Sequence, residues 1–314
     1  MKSYLDCIPC FYQQALKAAR ISGASEEVQR EVLNNLSEII PHFSLNTTPA
    51  EMGSKIYTMI SKVTGKKDPY REIKEESNKM ALKMYPEMKI KMKDAENKLL
   101  TAIRLSIIGN IIDFGIEGVD SISEKINKML RIDFDSQVNS DGEHFDYFSF
   151  RQHLLDVDSV LYLADNSGEV VFDRILIEYL VTYYHKTVIY VVKGKPVLND
   201  ALVDDAIFCG INHYANIISC GADSPGVVLD YCSPEFIRIF DEAEMIISKG
   251  QGNYEALSGE PNPLFFLLIA KCPVIARHLG CNIGDFVLEN SLNKKILTIE
   301  VTKSKELNKA GEKF

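Results

Sequence analysis

Val160–Asp173 reads VLYLADNSGEVVFD, a strand, a turn and the start of a helix in one short stretch. Val160–Ala164 is a continuous apolar run ended by a turn signal, the pattern of a central strand covered on both faces. Asp165 and Asn166 stand at its carboxyl end, and Gly168 permits a tight turn. Glu169 then opens a segment with Val171, Phe172, Ile175, Leu176 and Tyr179 at helical spacing. In open α/β sheets ligands sit outside the carboxyl ends of the strands, so Asp165 is the first candidate site residue.

Beyond this stretch, apolar runs at Val188–Val192, Ile217–Ser219, Met245–Ser248 and Val274–Ala276 alternate with helical segments, which predicts βαβ units and a parallel sheet. Ahead of it, the chain carries helical periodicity and almost no strand signal. Tyr70–Lys98 is a charged repeat threaded with apolar residues, and Ala102–Ile116 is a mostly apolar helix with Asn110 and Asp113 on one face. The expected organisation is a helical region over 1–132, a turn-rich linker over 133–158, an α/β domain over 159–302 and a charged tail over 303–314.

The bulk properties narrow the function. A chain of 314 residues, 46% hydrophobic, has enough apolar material for real cores without staples. A net charge of −9 argues against general binding to nucleic acid or to an anionic membrane surface. The start lacks a signal-peptide core, and the longest apolar run, Leu264–Ala270, is far too short to span a bilayer, so a soluble cytoplasmic protein is expected. Seven scattered cysteines fit reduced thiols better than a disulfide framework.

In a parallel sheet the strand tips line one edge, which brings distant residues together. The first tip supplies Asp165, Asn166 and Glu169; the second Lys193, Lys195, Asn199 and Asp200, with Asp204 and Asp205 beyond; the third Asp223 and Ser224; the fourth Lys249, Asn253 and Glu255. Asp165, Asn166 and Asp200 are hard oxygen ligands, suited to Mg²⁺ or Mn²⁺ rather than zinc. Lys249, followed by Gly250 and Gly252 at a helix start, has the makings of a phosphate site. Metal and anion site together are the equipment of phosphoryl transfer or phosphate-ester hydrolysis. Each element also has a plainer reading. Asp165 and Asn166 can serve as turn formers, the glycines as closers of a strand-to-helix turn, Asp204 and Asp205 as a solvated helix face, and Asp223 as a cap. Asn110 and Asp113 resist such a reading, because an apolar helix gains nothing by burying an unpaired carboxylate.

DNSGEVVFD, KGKPVLNDA, GADSPG and SKGQGNYEAL, preceded by CIPC and GNIIDFG, resemble the metal-dependent damage-control phosphatases, domain-of-unknown-function family 89. The likeness spans nearly the whole chain and is strongest to the prokaryotic and archaeal branch with an amino-terminal cysteine pair. It implies a three-layer α/β/α sandwich behind a helical amino-terminal region, and a divalent metal on Asp165, Asn166 and Asp200. It further implies substrate phosphate on Lys249; Gly250, Gly252, Asn253, Asn110 and Asp223 are further candidates for substrate binding from their places in the chain. Mn²⁺ and Mg²⁺ are the first choices of ion, with Co²⁺ and Ni²⁺ also open. The implied substrate is a small phosphorylated metabolite such as a sugar phosphate.

Phosphatases that form an aspartyl-phosphate commonly carry a second Asp two residues after the nucleophile, where this chain has Ser167. Attack by a metal-activated water is therefore expected, with Glu169 and Asp113 orienting water or substrate. No Walker A signature is present. Cys7 and Cys10 in CIPC, with Pro9 suited to a first helical turn, place thiols at a helix amino terminus, where the dipole lowers a thiol pKa. Plain packing, a metal role and a redox role all remain open for them. The histidines show no ligand spacing, and His278 is singled out as following the last expected strand. Two other classes stay open: an S-adenosylmethionine-dependent methyltransferase, whose glycine turn would belong after the first strand, and a non-catalytic metal- or nucleotide-binding protein.

Overall fold

The computed structural model describes residues 1–111, 119–131 and 144–292. Helices α1 (Cys7–Ile21), α2 (Glu26–Ile39) and α3 (Pro49–Thr64) pack around Phe11, Ala15, Val32, Leu36, Ile56 and Ile60. Their starts are encoded locally. Ser25 accepts from Val28 N, and Thr48 and Glu51 cap each other's backbone just before Pro49 turns into the helix. The helical part continues through α4 (Arg71–Asp94), α5 (Lys98–Gly109) and α6 (Val119–Leu130). Asp113 and the tail 303–314 lie outside the described residues.

Six strands form one sheet in the order β3 (Asn216–Ser219), β2 (Thr187–Val192), β1 (Ser159–Leu163), β4 (Ile246–Lys249), β5 (Leu264–Ile269), β6 (Phe286–Asn290). Every pairing is parallel except β5 with β6. Chain progression reverses direction between β1 and β4, so these two tips flank the crevice where such sheets bind ligands. Alternate residues feed opposite faces: Val160, Tyr162, Tyr190, Ile247, Phe265 and Leu267 enter one core, and Leu161, Leu163, Val191, Ile246, Phe266 and Leu268 the other. The first face is covered by α4, α5, α7 (Tyr147–Asp156) and α8 (Glu169–Tyr184). The second is covered by α10 (Pro234–Asp241), α11 (Gly250–Leu257) and α12 (Pro273–Leu279), while the short α9 (Val203–Phe208) follows the β2 tip. The architecture is the α/β/α sandwich that the resemblance implied.

Three sequence expectations are corrected. Val274–Ala276 is not a strand but part of α12, because Cys272 caps and Pro273 starts a helix there. The fifth strand is instead Leu264–Ile269, whose unbroken apolar run gives no alternation because both its faces are buried. The segment 133–158 holds α7, where Phe150 and Leu154, one helical turn apart, are fully buried while Phe148 and Leu155 are exposed.

Candidate functional site

The β1 and β2 tips are zipped together by backbone bonds. Ser167 N donates to Asn199 O at 2.8 Å and Ala201 N to Asp165 O at 2.9 Å, with Asn166 bridged to Asp200. Asp165, Asn166 and Asp200 are thereby fixed side by side, all nearly buried. Gly168, at φ +80°, turns the chain into α8 and swings Glu169 back towards them. Gly250, also at φ +80°, makes the room that Asp165 occupies, for a Cβ there would lie 1.9 Å from Asp165 Oδ2. The tip of β4 is thus shaped around the tip of β1.

Three acidic side chains converge here. Burial, then Glu169 and Asp200, push the Asp165 carboxyl well above its usual range, with Lys271 and Lys193 opposing. Burial likewise pushes Asp200 up to about 6 against the pull of Lys193. The donors of this crowded cluster are hard oxygens, so the fit to a Mg²⁺- or Mn²⁺-type ion is good. Among the described residues no three His, Cys, Asp or Glu side chains are arranged to hold an ion by themselves. The set here is two carboxylates and the Asn166 amide oxygen, while Asn166 Nδ2 donates to Asp165 Oδ2 at 2.8 Å and Glu169 Oε2 at 3.3 Å.

Beneath the acids lies a closed ionic network. Lys249 is fully buried and donates to Glu169 Oε1 at 2.5 Å, Asp173 Oδ1 at 2.8 Å and Ser106 O at 2.9 Å. Asp173 also accepts from Tyr162, Ser106 and Tyr190. Burial opposes the Lys249 charge, but Asp173 and Glu169 outweigh it and hold its pKa above the ordinary value. All three ammonium protons are engaged here, and Lys249 fixes Glu169. Asn110 and Asn253 are likewise held by protein partners. Asn110 Nδ2 donates to Asp165 Oδ2 and Glu169 Oε2 while its Oδ1 accepts from Ile269 N. Asn253 joins Ala164 O, Lys249 O and Val227 N, tying the β1 and β4 tips to the loop that follows β3.

The free valences lie on the other side. Lys193 Nζ, Asp200 Oδ2, Asn199 Nδ2 and Ser167 Oγ are buried without hydrogen-bond partners, and Lys193 Nζ stands 3.5 Å from Asp200 Oδ2. Asp223 is farther out, paired with Lys195 at 3.4 Å on the wall of a cavity of about 500 Å³. That cavity lies between α3, with Tyr57, and the β2 tip, with Leu198, and Lys62, Lys67 and Tyr70 add to its lining. Gly252 packs against the Pro225–Gly226 backbone, so it serves loop contact rather than an open anion site.

Some contributors were not assigned from the sequence. Asn78 on α4 accepts from Gly168 N at 2.6 Å and donates to Asp205 Oδ1 at 2.7 Å, clamping the turn from the helical part. Asp205 is therefore buried, not a solvated face, whereas Asp204 is exposed. Lys271 follows the unrecognised β5. Asn78 sits in a charged helical repeat that marks no single residue. His278 follows no strand; it lies in α12, bonded to Tyr254. Cys7 and Cys10 do open α1, but burial pushes both thiols up rather than the helix start bringing them down.

Residues 3–287 match the model of the damage-control phosphatase ARMT1-like domain. A damage-control phosphatase of Pyrococcus horikoshii is 34% identical over 291 residues, covering 91% of this chain and 97% of that protein. An uncharacterised protein of Methanocaldococcus jannaschii is 33% identical over 295 residues, covering 90% and 93%. A damage-control phosphatase of Archaeoglobus fulgidus is 28% identical over 285 residues, covering 90% and 96%. The crystal structure of a DUF89 family protein from Pyrococcus horikoshii superimposes with a TM-score of 0.81 at 31% identity, over 93% of this chain and 99% of that one.

Proposed function

The chain belongs to the ARMT1-like family of damage-control phosphatases, and from that membership we propose that it hydrolyses small phosphorylated metabolites, sugar phosphates among them, with a divalent metal. The observation that carries the reading is the pair of buried groups without hydrogen-bond partners, Asn199 Nδ2 and Ser167 Oγ, beside the buried Lys193–Asp200 ion pair and the crowded Asp165. Buried donors without acceptors, next to the Lys193 ammonium, match the oxygens of a phosphoryl group, and the crowding of Asp165 by Glu169 and Asp200 matches an ion. Asp165, Asn166 and Asp200 would hold a Mn²⁺- or Mg²⁺-type ion, which when bound polarises a phosphoryl oxygen and acidifies water. Lys193 takes the negative charge of the phosphoryl group. Glu169, held by Lys249 and Asn110, fixes the orientation of Asp165 through the amides they share. The 500 Å³ cavity accommodates the remainder of the metabolite, with Tyr57 and Tyr70 offering faces to a sugar-sized group.

Phosphate release from a panel of sugar phosphates and an aryl phosphate, using chelator-stripped protein resupplied with Mg²⁺, Mn²⁺, Co²⁺ or Ni²⁺, tests the reading. Metal-dependent release that disappears in Asp165→Asn is expected. Equal release without metal, or undiminished release by the variant, would overturn it.

A further inference from the structure

Two thiols flank the β2 tip from outside the ion site. Cys220 follows β3, and the register that pairs Val192 with Ser219 sets it next to Lys193, with Cys220 N donating to Val192 O at 2.9 Å. Ser233 N donates to Cys220 O at 2.9 Å, which brings Cys232 back against the same tip. There the Cys232 sulfur comes within hydrogen-bonding reach of Cys220, and its thiol donates to Val228 O at 3.3 Å. Cys220 is buried and Cys232 half-buried. The bond from Cys232, helped by the Lys193 ammonium and outweighing burial, holds the Cys220 thiol down to about 6. The same bond pushes Cys232 up. The two thiols are therefore unequal, Cys220 the readier to lose its proton and Cys232 the readier to keep it, as stepwise oxidation of a dithiol requires.

We infer that Cys220 and Cys232 form a dithiol that a hydroperoxide oxidises reversibly to a disulfide, with Lys193 stabilising the attacking thiolate. Cys220 sulfur attacks the terminal peroxide oxygen; the O–O bond breaks, and the departing oxyanion takes a proton from solvent. Cys232 sulfur then displaces water from the sulfenic acid, giving up its own proton as the S–S bond forms. Two thiols are oxidised and one peroxide is reduced. The change is felt at the β2 tip, because Gly194 and Gly221 pack backbone against backbone: a Cβ on Gly194 would meet the Gly221 carbonyl at 2.6 Å. The disulfide also removes a negative charge next to Lys193, whose other neighbour is Asp200. Loss of that charge weakens attraction for a cation nearby, a consequence that rests on the metal reading above.

The test is peptide mapping of peroxide-treated protein, alkylated and then cleaved before Asp223 and Asp230, which separates the two cysteines. The expected result is a Cys220–Cys232 linked peptide that a reducing agent parts, with Cys232→Ser stopping at a Cys220 sulfenic acid trapped by dimedone. Lys193→Met should slow the oxidation several-fold at pH 7. Recovery of both as free alkylated thiols while Cys7 or Cys10 is oxidised would overturn the inference, as would a Cys220 equally reactive in Lys193→Met. The mapping on the native chain needs no variant and no phosphatase activity, so it stands apart from the proposed function. Mn²⁺ affinity several-fold weaker in the oxidised protein supports the link to the ion site, and equal affinity refutes that link.

Discussion

Lys249→Met separates a positioning role from a phosphate-binding one. Methionine keeps most of the stem's volume, so little cavity is created and the change is electrostatic. It removes the ammonium from contacts of 2.5 Å to Glu169 and 2.8 Å to Asp173, whose side chains are 0% and 1% exposed. Taking one partner out of a buried ionic group costs about 3–5 kcal/mol, because the remaining charges have no solvent to turn to. With a urea slope of about 3 kcal/mol/M for a chain of this size, the unfolding midpoint falls by roughly 1–1.7 M. Urea titration followed by circular dichroism reads this directly. In the same variant kcat should fall, since Glu169 is no longer held. Adding Asp173→Asn should recover part of the stability by removing one uncompensated charge. An unchanged midpoint together with a raised KM for phosphate esters would refute the reasoning and return Lys249 to the phosphate.

Gly250→Ala should abolish Mn²⁺ binding even in protein that folds, because its Cβ would lie 1.9 Å from Asp165 Oδ2; calorimetric binding at native strength would contradict that. Lys193→Met should raise KM for phosphate esters by about ten- to a hundredfold, from about 1.5–3 kcal/mol for a charged hydrogen bond, with steady-state kinetics as the check. Burial lifts the Glu255 carboxyl from 4.5 to about 7 despite the bond from Gln251. A raised folded-state value means its contribution is fully present below the unfolded value and is lost as pH rises through about 7. Glu255→Gln should therefore gain in melting temperature on the native protein between pH 5 and pH 8, whereas parallel pH curves would rule the burial effect out. Asn78→Ala should lower both stability and activity by freeing Gly168 N, and a variant with native kcat/KM would show the clamp to be dispensable.

Much of this arrangement was legible in the residues. Val160–Asp173 reads as strand, turn and helix because propensity, periodicity and the glycine all agree, and the folded chain places them so. Leu264–Ile269 was obscured by the very burial that makes it a strand, since a run covered on both faces shows no period. Val274–Ala276 is too short for periodicity to outvote the Pro273 helix start. At the site, the sequence brings Asp165, Asn166, Asp200 and Lys249 to the sheet's ligand edge. It does not say which way each points. A lysine after a strand reads equally as an anion ligand or as the counter-ion of a buried acid. The choice is made by Asp173, one helical turn beyond Glu169, with Tyr162 and Tyr190 completing its shell. In the sequence Lys193 and Lys195 are equivalent residues of the second strand tip, and only burial against Asp200 sets Lys193 apart from the exposed Lys195.

The most direct test of the account is Mn²⁺ binding followed by electron paramagnetic resonance, with native protein compared against Asp165→Asn, Asp200→Asn and Lys195→Ala. A single ion bound by the native protein and by Lys195→Ala, and lost from both strand-tip variants together with phosphate release, is the predicted result. Binding that survives both aspartate substitutions would contradict the assignment of the β1 and β2 tips as the metal centre.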